Sequence, residues 1–157
     1  MTLKRAMDVT AAGLGLLVLS PVLLAAAWAV KRSSPGPVFF RQERVGLHGQ
    51  AFRIHKFRTM RISDGNGLQV TAADDDRITP IGHTLRRYKL DELPQLLDVL
   101  AGNMSLVGPR PEVPRYMAMY ASDVRAQILS VRPGITDNAA IAFRDEERLL
   151  AEADDVE

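Results

Sequence analysis

The sequence predicts a mainly helical α+β protein in which a membrane helix hairpin precedes a small domain carrying a short β-hairpin. Three observations predict it: an uncharged apolar run over residues 9–30 broken at Ser20-Pro21, basic pairs on both sides of that run, and two short aromatic and branched segments around a glycine-rich connection. Three later stretches with helical apolar spacing supply the rest of the helix content. At 157 residues, with 46% hydrophobic and 25% charged residues, the chain has room for one sizeable core. It carries no cysteine, which excludes disulfide frameworks, thiolate metal sites and cysteine nucleophiles.

Residues 9–30 are long enough to cross the hydrocarbon layer as a helix, which is about 30 Å thick. Lys4 and Arg5 precede the run and Lys31 and Arg32 follow it, so the preference for basic flanks on the cytoplasmic side applies to both ends. Pro21 removes a backbone donor in the middle and predicts a kink or a break, with the Ser20 hydroxyl available to a freed carbonyl. Each arm is then about 17 Å long, half a membrane deep. Break, length and flanks together predict a re-entrant helix over residues 1–32 that returns to its own face of the bilayer. A kinked transmembrane helix and a cleaved signal peptide are the alternatives, the latter burdened by Asp8 at the start of its apolar core.

Ser33-Ser34-Pro35-Gly36-Pro37 is a turn cluster that ends the membrane piece and opens a domain over residues 33–157. The charge is divided at a similar place. Residues 1–61 hold ten Lys and Arg against two acids, the remainder ten against seventeen, and the total is +1. A basic amino end suits anionic lipid, a polyphosphate or nucleic acid. The neighbouring apolar run excludes a nucleic-acid partner, because it would have no place away from water.

Residues 38–41 and 51–57 flank Gly46-Leu47-His48-Gly49 and predict the β-hairpin. In Phe52-Arg53-Ile54-His55-Lys56-Phe57-Arg58 apolar and basic residues alternate, which predicts one hydrophobic and one cationic face. Residues 63–76 read as a polar loop ending in Asp74-Asp75-Asp76, a solvated triplet or a metal ligand. Residues 81–88 have helical spacing and deliver Arg86 just ahead of two acids.

Those acids open Leu90-Asp91-Glu92-Leu93-Pro94-Gln95, where Asp91 is placed as a helix N-cap and Pro94 suits a first turn. The cap alone accounts for Asp91. The same geometry also suits chemistry, since a carboxylate kept ionised by the helix dipole and Arg86 can serve as a nucleophile or a magnesium ligand. Further on, Gly108-Pro109-Arg110-Pro111 places a guanidinium on a stiffened loop, either as a phosphate fork or as a surface residue at the entry to a helix over residues 113–131.

In this order the pieces resemble the bacterial sugar transferases known as monotopic phosphoglycosyl transferases, or polyprenyl-phosphate sugar-1-phosphate transferases. The resemblance is carried by Lys4-Arg5 with Asp8, Ser20-Pro21, Lys56-Phe57-Arg58-Thr59-Met60, Arg86 with Leu90-Asp91-Glu92-Leu93-Pro94-Gln95, Met104-Ser105, Gly108-Pro109-Arg110-Pro111 and Val131-Arg132-Pro133-Gly134-Ile135-Thr136. It covers about residues 1–136.

The resemblance implies transfer of a sugar-1-phosphate from a UDP-sugar to a polyprenyl phosphate such as undecaprenyl phosphate, with release of UMP, as a first membrane step of glycan assembly. It implies Asp91 as nucleophile in a covalent phosphosugar intermediate, and Mg2+ at the Asp91-Glu92 dyad. Lys56, Arg86, Arg110 and Arg132 match positions that contact phosphates. It further implies membrane lipid and downstream glycosyltransferases as neighbours, and a monotopic location on the cytoplasmic face of the bacterial inner membrane. After Thr136 the chain departs from the pattern, which predicts that part of the family's carboxy-terminal region is missing and leaves the sugar open. A membrane-anchored protein that binds nucleotide sugars without turnover is the non-enzymatic alternative.

Overall fold

The computed structural model describes residues 2–61 and 76–137. Helix α1 spans Leu3–Ser33, capped by the Thr2 hydroxyl, which accepts from the Arg5 amide at 3.4 Å. At the predicted kink or break the helix is not interrupted, and Pro21 lies inside it. The missing proline amide deprives the Leu17 carbonyl of its donor, and the Ser20 hydroxyl donates to that carbonyl at 2.8 Å, which lets the helix continue.

One stripe of α1 packs against the domain along its whole length. Ala12, with Leu16 and Leu19, joins a core of Ile54, Leu96, Val99 and Met104. Ala26 and Val30, with Leu23 and Ala27, join a second core of Phe57 and Leu85. The opposite face, with Leu14, Leu17, Val18, Leu24 and Trp28, is apolar and exposed. Asp8, the awkward acid of the apolar run, is buried and saturated: Oδ2 accepts from Ser105 Oγ at 2.8 Å and Lys4 Nζ at 3.1 Å, and Oδ1 accepts from the Leu106 amide at 3.2 Å. Arg5 donates to the Val99 and Leu100 carbonyls at 2.7 and 3.1 Å. The helix is thus part of both cores, a role a cleaved leader does not play.

The predicted hairpin is present as two ladders. Strands β1 (Phe39–Phe40) and β4 (Lys56–Phe57) pair antiparallel, as do β2 (Glu43–Val45) and β3 (Ala51–Arg53). Phe39 opposite Phe57 and Val45 opposite Ala51 lie in one register, bridged by the Ile54 amide on the Gln42 carbonyl at 3.1 Å. Arg53 and His55 take one side of the hairpin, where Arg41 Nη1 lies 2.6 Å from His55 Nε2, but Lys56 does not join them. The pleat puts Phe52, Ile54 and Lys56 on one side, and burial of Phe52 and Ile54 carries Lys56 inward with them. Arg58 is buried as well, its guanidinium donating to the Ser34 and Pro35 carbonyls and so holding the turn cluster.

Helix α2 (Pro80–Arg87) matches the predicted stretch, with Thr79 as its cap. A 3-10 turn over Leu90–Gln95 then leads into α3 (Leu96–Ala101). Asp91 is therefore not an N-cap: Lys89 holds that position in the left-handed region (φ 54°), and Asp91 stands inside the first turn. Strands β5 (Ser105–Val107) and β6 (Gly134–Thr136) pair in parallel. Between them stand α4 (Pro114–Met117) and α5 (Ser122–Leu129), two short helices where the sequence predicts one. The Ala121 backbone is extended, and Ser122-Asp123 starts a fresh helix with an acid at its positive end. Residues 63–75, most of the polar loop with Asp74 and Asp75, and residues 138–157 lie outside the described residues, while Asp76 is exposed.

Asp8→Ala leaves the Ser105 hydroxyl and the Leu106 amide without their acceptor, which costs about 1–3 kcal/mol. Chemical denaturation in detergent checks this; parent-like stability refutes the docking role of Asp8.

Candidate active site

The site forms where the hairpin, the 3-10 turn and the loop after β5 converge. Two backbone ladders bring the loop in. The Gly108 amide donates to the Thr136 carbonyl at 3.1 Å and the Gly134 amide to the Pro109 carbonyl at 2.9 Å. The approach is so close that a Cβ on Gly134 would lie 2.1 Å from the Gly108 nitrogen, so only glycine fits. The Gly-Pro-Arg-Pro and Arg-Pro-Gly-Ile-Thr segments thus clamp each other, and Arg110 projects from the clamp.

Lys56 at the start of β4 meets both acids of the 3-10 turn. Its Nζ lies 2.8 Å from Asp91 Oδ2 and 3.2 Å from Glu92 Oε1. Arg110 Nη2 lies 3.4 Å from the same Glu92 oxygen. Asp91 is 2% exposed, and its Oδ1 is buried without a hydrogen-bond partner. Burial pushes the Glu92 carboxyl up, but the Lys56 and Arg110 charges outweigh it and hold the group below its ordinary value.

The sequence reading missed Arg44. It enters from β2, donates to the Pro111 carbonyl at 2.8 Å and to Gln42 Oε1 at 2.6 Å, and lines a cleft together with Lys56, Glu92 and Arg110. Burial, and then the adjacent Arg110 charge, lower the pKa of its guanidinium. Two guanidiniums facing one cleft repel unless an anion lies between them. Gln95 of the 3-10 turn, also missed, lines the same cleft.

The other predicted residues lie on other elements. Arg86 is half-buried in the last turn of α2, which packs on the turn bearing Asp91. Arg132 is exposed and donates from Nε to the Gly102 carbonyl at 2.8 Å, securing the end of α3. Ser20 and Pro21 remain in α1.

Chemically, the arrangement offers a buried carboxylate with one oxygen neutralised and the other free, beside three cations able to hold phosphates. No group of three or more His, Asp and Glu assembles among the described residues. Asp91 and Glu92 nevertheless suit Mg2+, which binds through one or two carboxylates and completes its shell with substrate phosphates and water; the orphaned Asp91 Oδ1 is a ready ligand atom.

The chain belongs to the bacterial sugar transferase family, whose model matches residues 1–155. It is 46% identical over 142 residues to a UDP-glucose:undecaprenyl-phosphate glucose-1-phosphate transferase of Escherichia coli (strain K12), covering 88% of this chain and 31% of that protein. A Caulobacter vibrioides transferase of the same description is 46% identical over 141 residues, 88% of this chain and 53% of its own. The UDP-N-acetylgalactosamine-undecaprenyl-phosphate N-acetylgalactosaminephosphotransferase of Aeromonas hydrophila is 40% identical over 160 residues, 97% of this chain and 38% of its own. The chain therefore spans between about a third and about half of these relatives.

In the folded protein Glu92 ionises below its ordinary 4.5, so its charge adds stability that is fully present above that value and is lost as pH falls through the lower folded value. Lys56→Met strands two largely buried carboxylates. It is expected to cost about 3 kcal/mol at neutral pH and to shrink the acid-dependent part of the stability as Glu92 moves upward. Denaturant titrations across the acid range check both; a parent-like profile refutes the assignment.

Proposed function

We propose that this chain transfers a sugar-1-phosphate from a UDP-sugar to a polyprenyl phosphate, undecaprenyl phosphate being the first choice, and releases UMP. The observation that carries the reading is Asp91: buried, paired through one oxygen with Lys56, and unpartnered at the other. The relatives act, by their names, on UDP-sugars and undecaprenyl phosphate.

In the proposed sequence an Asp91 carboxylate oxygen attacks the sugar-bearing phosphorus, and the bridging oxygen leaves with UMP. An oxygen of the polyprenyl phosphate then attacks the same phosphorus, frees the carboxylate and carries the sugar away as a lipid diphosphate. Lys56 holds Asp91 in place and, with Arg110, offsets the phosphate charge that an anionic nucleophile must approach. Arg86 is kept as a phosphate contact from the neighbouring helix, and Arg132 as a positioning residue for the Gly102 turn. Mg2+ held by Asp91 and Glu92 would supply charge neutralisation at the diphosphate.

The membrane reading is supported by the packing of α1. Its front end, through Arg5 and Asp8, and its back end, through Ala26 and Val30, both rest on the same domain. An upright span would drag that charged domain into the hydrocarbon, whereas insertion from one side leaves the exposed apolar face to lipid and the site near the headgroups. A re-entrant course on the cytoplasmic face of the bacterial inner membrane, bending at Ser20-Pro21, meets that requirement and the basic flanks together.

Asp91→Asn is expected to retain the parent's thermal midpoint and lose UMP release by about a thousandfold or more, in detergent with a UDP-sugar panel, undecaprenyl phosphate and magnesium. With donor alone the parent should gain one sugar-phosphate mass on Asp91; turnover by the asparagine variant refutes the mechanism. In the cysteine-free background, Thr2→Cys and Ser33→Cys, at two exposed positions, should both resist an impermeant thiol reagent in spheroplasts and both react in inverted vesicles. Opposite labelling of the two ends refutes the re-entrant course.

A further inference from the structure

The reaction as derived leaves Gln95 unused. This side chain closes the 3-10 turn, is 3% exposed and lines the cleft; it makes no side-chain hydrogen bond to another described residue, and its polar atoms are not fully enclosed but open on the cleft. A carboxamide that opens on a cleft without a protein partner keeps its donor and acceptor for whatever fills the cleft, whereas a leucine in the same place would offer neither. Such a group suits a molecule from outside the fold that completes its hydrogen bonds.

The cleft shows what kind of molecule that is. At one end Lys56 and Arg110 converge on Glu92, the phosphate-holding side. Ile54 and Ile135 provide apolar walls. Gln42 lines the same cleft, and its Oε1 is taken by Arg44, so that its amide nitrogen is left to donate. Two carboxamides on apolar walls beside a cation cluster suit an uncharged, hydrogen-bonding group attached directly to phosphates.

We propose that Gln95 is a specificity-determining residue that hydrogen-bonds an uncharged polar group of the donor nucleotide sugar, next to its diphosphate. The inference rests on the reaction proposed above. Sugar hydroxyls and the uracil edge share this chemistry, and binding measurements separate them.

The test compares the full chain with Gln95→Leu and Gln95→Met in detergent with magnesium, reading the thermal midpoint without ligand and the affinities for UMP, UDP-glucose and UDP-N-acetylgalactosamine. Loss of an amide without a protein partner should leave the midpoint unchanged or raised, while affinity for at least one UDP-sugar falls tenfold or more. An equal fall for UMP assigns the contact to the uridine; a fall confined to the UDP-sugars assigns it to the sugar. Unchanged affinities, a midpoint lowered in both variants, or a parent that binds none of the probes overturns the inference. UMP release by the parent, measured alongside, separates the two claims: release with unaltered Gln95→Leu affinity removes this inference alone, and binding that weakens in the variants without release by the parent removes the reaction alone.

Discussion

A single ammonium group holds the centre of this fold together. Lys56 Nζ is shared by Asp91 and Glu92, so it joins the hairpin to the 3-10 turn and supplies a countercharge to two largely buried carboxylates. The turn in turn leads directly into α3, whose Leu96 and Val99 form the floor on which the first half of α1 lies. The charge pair and the apolar core are therefore neighbours along the chain: moving one moves the other.

The second fixed point is made of backbone alone. Gly108 and Gly134 stand so close that their segments behave as one piece, and Arg110 inherits its position from that contact rather than from any side-chain partner of its own beyond Glu92. Arg44 buttresses the same loop through the Pro111 carbonyl. The cations of the cleft are thus placed by rigid neighbours, which lowers the entropy lost when an anion is bound among them.

Much of this was legible in the residues. The uncharged run, its basic flanks and the turn cluster mark α1 and its end at Ser33, and the aspartate of the 3-10 turn is conspicuous in any reading. What local rules miss is what long-range pairing decides. Asp91 reads as a cap because caps are local, whereas its partner Lys56 lies on a different element. Arg44 and Gln42 read as ordinary hairpin residues until the register is known. Once Phe40 stands opposite Lys56 and Arg44 opposite Phe52, one face of the hairpin reads Phe40, Gln42, Arg44, Ile54, Lys56, and that face is the wall of the cleft. Pro21 shows the converse: a local signal for a kink or a break is met by an equally local hydroxyl, and the helix is not interrupted.

The docking of α1 bears on how the chain assembles. Asp8 meets Ser105 97 positions later, and Arg5 meets Val99 94 positions later, so α1 is synthesised well before the segments it docks on. Contacts of such separation form slowly. During synthesis the lipid can take up the outer face of α1 at once, while the inner stripe waits with its acid unsatisfied until β5 has left the ribosome. Folding of the domain is then completed on a helix already seated at the bilayer, and delivery to the membrane precedes, rather than follows, formation of the site.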